Sequence, residues 1–386
     1  MTDTTINASR GHGNDVGKAH LRSGDDVLLR VEDLVVDYRI DRATSFRAVK
    51  GISFDVVEGE TLGLVGESGC GKSTTAKAIV QLPRPTEGTI NFDGTDLTSL
   101  EDQELRSLRS AIQMIFQDPI AALNPRRTVR RIVSEGLVVA NASVSRSAWV
   151  IVAIGVLALI AAIVVGSWFV AAVGLVALLG GVGWVVRGIA RPAIGDFSGS
   201  RVDEIITAVG LDADEAARRR PHEYSGGQCQ RVAVARALVL DPKILICDEP
   251  VSALDVSVQA QILNMLEDMK ERYGLTLVFI SHDLSVVRNV SDRIAVMWDG
   301  RIVELGDSDF VFLEPAHSYT RTLLAALPDP TNPHGTAERA VTVEAAPTSC
   351  RLNGEAGHEV CTSAHPLLEQ VGDRDHWVAC RFHDRS

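Results

Sequence analysis

The sequence predicts an α/β fold. A parallel sheet carries a phosphate-binding loop, with an antiparallel β part, a helical subdomain and an inserted hydrophobic helical hairpin beside it. Three observations predict this. Gly66-Glu67-Ser68-Gly69-Cys70-Gly71-Lys72-Ser73-Thr74 stands between a short apolar run and a helix-forming segment. Three further apolar runs, Ala111–Phe116, Lys243–Cys247 and Leu275–Ile280, are each followed at once by polar residues able to do chemistry. Trp149–Val186 is a stretch of 38 residues without a single charge.

The glycine loop comes first because the rest of the chain is built to use it. Gly66 and Gly71, four residues between them, then Lys72 and the hydroxyl of Ser73, fit the phosphate-loop pattern. Thr61–Val65 reads as the strand before it, and Thr74–Val80 as the helix after it, with no breaker until Pro83. The glycines let backbone N–H groups turn inward around a phosphate, and the helix N-terminus adds the positive end of its dipole. Lys72 is the residue to reach the outer phosphates, and Ser73 the one to take a Mg²⁺ position.

At 386 residues the chain is one large domain with additions, or two domains. A net charge of −12 argues against a nucleic-acid-binding face as the main function. Six cysteines are too few and too scattered for a secreted disulfide framework. The polar segment 1–25 lacks an apolar signal stretch, so the catalytic domain is expected in the cytosol and this tail disordered. Residues 26–330 form the expected nucleotide-binding domain, with the helical subdomain at about 118–224 and the hairpin at about 148–187. Residues 331–386 form a C-terminal appendage containing cysteines.

Val27–Tyr38 alternates apolar and polar residues and, with Ile52–Val57, suggests an antiparallel pair. Tyr38 is either an aromatic that stacks on a base or an ordinary strand tyrosine. Thr86–Gly94 reads as turn, strand, turn, and Glu101–Ser110 as a helix. Ala111–Phe116 ends at Gln117-Asp118-Pro119, where Pro119 is expected to prevent helix entry. Gln117 then lies in the crevice at the carboxyl ends of the strands.

Tyr224-Ser225-Gly226-Gly227-Gln228 precedes a good helix over Val232–Leu240, a second anion-binding turn at a helix N-terminus. The buried strand Lys243–Cys247 delivers Asp248-Glu249-Pro250. Two adjacent carboxylates at a buried strand end are costly unless they hold a cation or a water. Asp248 suits Mg²⁺ and Glu249 suits orienting the attacking water. Leu275–Ile280 brings Ser281-His282-Asp283 to the same edge, and Asp299-Gly300 signals a hairpin between Arg293–Trp298 and Arg301–Glu304.

With these residues in view, the chain resembles the ATP-binding subunit of an ABC transporter, and more narrowly the oligopeptide/dipeptide (or nickel) permease ATPases. The resemblance rests on Gly66–Thr74, Phe116-Gln117-Asp118-Pro119, Ser225-Gly226-Gly227-Gln228-Cys229-Gln230-Arg231, the run Ile246–Asp255, Ile280–Leu284 and His317-Ser318-Tyr319-Thr320-Arg321. It implies that Tyr38 stacks on adenine and that Lys72, Ser73, Gln117 and Asp248 hold phosphates and Mg²⁺. Glu249 then polarises water, His282 contacts the γ-phosphate, and Ser225–Gln228 complete the site of a facing ATPase subunit, a copy or a paralogue. It also implies two permease subunits in the membrane and, indirectly, an extracytoplasmic solute-binding protein. The competing classes are a non-transport ABC ATPase of DNA repair or translation, and a membrane-tethered regulatory ATPase.

Two stretches depart from the family. Peptide-importer ATPases often end in a four-cysteine motif thought to hold an iron–sulfur cluster. Here Cys350, Cys361 and Cys380 are present, but the expected fourth cysteine between the first two is absent. An iron–sulfur cluster completed by His358 or His365, a zinc ion, and a lost site all stay open. The second departure is Trp149–Val186, expected to insert in the membrane as a hairpin. Gly166-Ser167 divides it into spans of 17 and 19 residues, about 25 and 28 Å long and close to the ~30 Å hydrocarbon core. Arg146, Arg187 and Arg191 give both ends a cytoplasmic-type flank.

Overall fold

The computed structural model describes residues 18–24, 26–41, 44–142, 197–327 and 367–379. Two sheets organise them. β1 (Val27–Arg39), β2 (Ser45–Val57), β4 (Glu87–Phe92) and β5 (Thr95–Asp96) form an antiparallel sheet in the order β2-β1-β4-β5. The larger sheet has a parallel core of β3 (Thr61–Val65), β6 (Ile112–Ile115), β7 (Ile244–Asp248), β8 (Thr276–Ser281) and β9 (Arg293–Trp298), in the order β9-β3-β8-β7-β6. β10 (Arg301–Asp307) adds antiparallel to β9 through the expected hairpin, with Asp299 at φ 47° and Gly300 at φ 77° in its two-residue turn.

The unbroken apolar runs of β3, β7 and β8 follow from burial on both faces. Val65, Leu245, Cys247, Leu277 and Phe279 enter one core. Leu62, Leu64, Ile244, Ile246, Val278 and Ile280 enter the other. The second core is closed by the antiparallel sheet and by α1 (Lys72–Ile79), which contributes Ala76, Ala78 and Ile79. The first core is closed by helices. These are α4 (Val129–Ala142), α5 (Phe197–Ala208), α6 (Ala213–Arg218), α7 (Gly226–Leu238), α8 (Val256–Tyr273), α9 (Leu284–Val290) and α10 (Ser308–Leu313). Two short helices, α2 (Asp102–Leu108) and α3 (Pro119–Ala122), flank β6.

Several expectations are corrected. Pro119 does not prevent helix entry. It occupies the first position of α3, where its missing N–H costs nothing, behind the Asp118 cap. The signature helix begins at Gly226 rather than Val232, because Ser225 and Gln228 form a reciprocal capping box. The tail expected to be disordered over 1–25 is shortened, since residues 18–24 lie against the core. His20 is buried, and Arg22 Nε donates to Asp55 Oδ1 at 2.7 Å. Residues 1–17 lie outside the described residues. So does most of the expected C-terminal appendage, but its described part joins the main sheet. β12 (His376–Val378) pairs antiparallel with β10, and β11 (Glu369–Gln370) with β12. The hairpin expected at 149–186 also lies outside the described residues. Among the described residues no helix is long and apolar enough to cross a membrane.

Arg22 belongs to a buried ionic cluster. Asp55 on β2 and Glu60 in the turn before β3 receive both Arg22 and Arg293, the latter at 3.1 and 3.4 Å. Asp55, Glu60 and Arg293 are all buried. Removing Arg293 leaves two buried carboxylates short of a cation, so Arg293→Ala is expected to lower unfolding free energy by about 3–5 kcal/mol. A denaturant titration at constant m-value measures it.

Candidate functional site

The parallel strands β3, β6, β7 and β8 end at one edge, and each delivers a functional residue there. β3 runs into the glycine loop and α1. Gly66 has φ 150°, and a Cβ there would run into the Met297 carbonyl of β9; a Cβ on Gly71 (φ 108°) would lie 2.6 Å from the Ala48 carbonyl. Both positions therefore require glycine, since the loop is wedged between β9 and β2. The β9–β10 turn supports it from the side, with Gly300 N–H donating to Cys70 O at 3.0 Å.

α1 begins at Gly71 without a side-chain cap and with no acidic residue in its first turn. Its leading amides are left to a ligand, the arrangement a helix offers an anion. Lys72 is buried, and its ammonium donates to the carbonyls of Gly66 and Glu67, 2.7 Å each. Ser68 and Gly69 are exposed at the outer turn, and Thr74 is half-buried. Burial pushes the Cys70 thiol above its usual range, opposed by Lys72.

Ser73 Oγ donates to Asp248 Oδ1 at 2.7 Å, joining the loop to the end of β7. Asp248 is 1% exposed. Burial pushes its carboxyl up, against the pull of the Ser73 hydroxyl and of Lys77 and Lys72. A buried carboxylate touching a hydroxyl, with no ion-pair partner among the described residues, is the donor set a hard divalent cation takes. The residues fit Mg²⁺.

Glu249 follows with a left-handed backbone (φ 48°), its N–H held by Ile280 O at 3.0 Å. This turn swings its side chain out of line with β7. There Gln117 Nε2 donates to one carboxylate oxygen at 2.9 Å and His282 Nδ1 meets the other at 3.2 Å. Three strand ends, β6, β7 and β8, thus converge on one carboxylate. The Ser225–Gln228 turn is exposed or half-buried, and its Ser225 and Gln228 side chains are engaged in their own capping box at 3.0 and 3.3 Å. Tyr38 lies directly opposite Phe46 across β1 and β2, and both are exposed.

Residues 49–252, more than half of the chain, match the family described as ABC transporter. The chain belongs to the ABC transporter family. Within it, this chain is the ATP-hydrolysing component, and residues 303–354 match the oligopeptide/dipeptide transporter C-terminal region. It is 42% identical to the oligopeptide transport ATP-binding protein OppF of Escherichia coli (strain K12), over 80% of this chain and 79% of that one. It is 39% identical to the oligopeptide transport ATP-binding protein AppF of Bacillus subtilis (strain 168), over 87% and 90%. Among solved structures, the ATP-binding cassette MJ0796, dimeric in a post-hydrolysis state with ADP and Pi, is 26% identical. It superposes with a TM-score of 0.54 over 72% of this chain and 98% of that one.

For this ABC ATPase, the structure brings Lys72, Ser73, Asp248, Gln117, Glu249 and His282 to one edge and leaves Ser225–Gln228 apart. Two residues were missed in the sequence. Phe46 stands opposite Tyr38 only through the β1–β2 register, which the sequence does not give. Tyr319 lies in the motif His317–Arg321, but nothing local says that it reaches the glycine loop. Among the described residues no group of three or more His, Cys, Asp or Glu side chains is placed to hold a metal ion. The expected iron–sulfur or zinc ligands Cys350, Cys361 and Cys380 lie outside the described residues.

Proposed function

We propose that this chain binds ATP in the glycine loop and hydrolyses it at a site completed by a second ATPase subunit. Hydrolysis then drives uptake of oligopeptides, dipeptides or a related solute through two permease subunits, from the cytoplasmic face of the membrane. The observation that carries this reading is the convergence of Lys72, Ser73–Asp248 and Gln117–Glu249–His282 on one sheet edge. The 40%-level likeness to oligopeptide transport ATP-binding proteins supports the solute class. An extracytoplasmic solute-binding protein would deliver the cargo.

Each side chain has a step to perform. Lys72 exchanges two neutral carbonyls for phosphate oxygens, a stronger charge-assisted partnership. Ser73 and Asp248 would hold Mg²⁺, which when bound would neutralise charge on the outer phosphates. Tyr38, with Phe46 beside it, offers the base an exposed aromatic face. Each Glu249 oxygen already has one partner, Gln117 or His282, which competes with a water for the carboxylate. With nucleotide bound, Gln117 and His282 would turn from Glu249 toward the ligand, His282 toward the γ-phosphate, and the carboxylate would be left to hold the attacking water. ATP binding thus arms the base. Ser225–Gln228, exposed or half-buried and with no hydrogen bond to this chain's own cluster among the described residues, face the nucleotide of the opposite subunit.

Purification from native membranes tests this reading. Two integral permease proteins and a second ATPase are expected to accompany the chain; its recovery without any membrane protein overturns the transport assignment. The uncharged stretch 149–186 supports a further anchor, a hairpin crossing the bilayer twice. Expressed without permeases, the chain is expected to stay with membranes through a carbonate wash, and deletion of 148–187 to release it with ATP binding intact. Full-length chain that is soluble and monodisperse without detergent refutes the hairpin.

A further inference from the structure

We propose that Tyr319 is a positioning residue for the phosphate loop, tying nucleotide affinity to the C-terminal region of the chain. The Glu67 backbone N–H donates to the Tyr319 phenol oxygen at 3.0 Å, between residues 252 apart in sequence. Glu67 is the second residue of the loop. Its carbonyl accepts both the Lys72 ammonium at 2.7 Å and the Cys70 N–H at 3.3 Å. Tyr319 therefore grips the peptide that holds the phosphate-binding lysine in its resting place. Gly66 and Gly69 on either side have positive φ and little intrinsic stiffness, so the loop's shape depends on outside anchors.

Tyr319 is itself held firmly. It is 2% exposed, with its ring 6.0 Å from that of Trp298. Burial pushes the phenol up, so it stays a neutral hydroxyl. It lies in the first turn of α11 (Ser318–Ala325), whose start is fixed by a chain of polar contacts. His317 Nδ1 accepts the Tyr319 N–H at 3.1 Å. The N–H groups of Ala316 and His317 donate to the Glu304 carboxylate at 2.7 and 3.0 Å. Glu304, fully buried on β10, also meets His376 Nε2 of β12 at 2.6 Å. A continuous path runs from β12 through Glu304 and the α11 cap to the phosphate loop. Tyr319 falls inside the matched C-terminal region, 303–354, and outside the matched ABC region, 49–252. The bond is a contact between the two.

This inference rests on the proposed ATP site, and the test separates the two. The purified full-length chain is titrated with a fluorescent N-methylanthraniloyl-ATP in the presence of Mg²⁺. Tyr319→Phe keeps the ring and loses the acceptor; its Kd is expected to rise by about three- to tenfold, one hydrogen bond's worth. Thr320→Val, which removes a buried hydroxyl without a partner from the same helix, is expected to bind as wild type. Lys72→Ala is expected to weaken binding further, and the Lys72→Ala/Tyr319→Phe double variant to lose less than the product of the two. Wild-type affinity in Tyr319→Phe alongside a weak Lys72→Ala overturns the positioning role and leaves the site standing. Wild-type affinity in Lys72→Ala removes the site and this inference with it. Equal losses in Tyr319→Phe and Thr320→Val overturn the role in favour of packing alone. Should Tyr319→Phe fail to fold, the cap decides: His317→Ala is expected to weaken binding and His317→Asn to restore it, and equal affinity in both refutes the proposal.

Discussion

Glu249→Gln is expected to bind ATP within about twofold of wild type while hydrolysis falls on the order of 10²- to 10⁴-fold, the usual worth of a positioned base. The amide replaces the carboxylate without changing its length. Its oxygen still accepts from Gln117, and its NH₂ group can donate to His282 Nδ1, so the resting cluster survives. What is lost is the negative charge that polarises a water. ATP then closes two subunits on each other without the step that reopens them. Size-exclusion chromatography should show a dimer that depends on ATP and outlives the wild-type one, and steady-state ATPase assays of the assembled transporter give the rate. Wild-type hydrolysis by this variant would remove Glu249 from its role.

Asp248→Asn is expected to move activity and stability in opposite directions. Asn keeps an oxygen for the Ser73 hydroxyl but cannot neutralise a divalent cation, so Mg²⁺-dependent hydrolysis should fall by about 10²-fold or more. For stability, burial raises the Asp248 carboxyl above its ordinary value of 3.8 in the folded chain. The folded state holds that proton longer than the unfolded one, so the group's contribution is fully favourable below 3.8 and is lost as pH rises through the raised value. At neutral pH the ionised, buried carboxylate is a burden on the nucleotide-free protein. Asp248→Asn removes it, and Tm measured without nucleotide or Mg²⁺ should rise at pH 7 and converge on wild type in acid. A lower Tm at pH 7 would show that Asp248 already has its counter-charge within the chain.

Most of the strand-edge cluster was legible because its parts are local. The loop Gly66–Thr74 carries its own geometry. The strands that deliver Gln117, Asp248-Glu249 and His282 are mostly apolar, and strands buried on both faces in a parallel sheet present their carboxyl ends together. The sequence could not say what the side chains do before ligand arrives. The parking of Lys72 on its own loop, and of Glu249 between Gln117 and His282, depends on distances between strands. Pro119 misled because proline stops a helix from inside and starts one at its first position; only the Asp118 cap separates these cases. Residues 18–24 were read as tail for their polarity. The hidden signal was on the other side, in Asp55, a carboxylate inside the apolar run Ile52–Val57 that needed a cation from somewhere. Arg22 supplies part of it. Tyr319 belongs to the same class, since a hydrogen bond spanning 252 residues leaves no local trace.

The pairing of β12 with β10 also sets an order of events during synthesis. A ribosome releases β10 some seventy residues before His376–Val378, so the growing sheet waits with an unpaired edge and with Glu304 lacking the His376 imidazole. An open edge invites pairing with another chain. Translation that stops short of residue 376 therefore yields a product with its parallel core and phosphate loop already made, yet with one sticky border. An unpaired edge of this kind is what chaperones and proteases recognise in other incomplete chains, and closing it needs translation through β12.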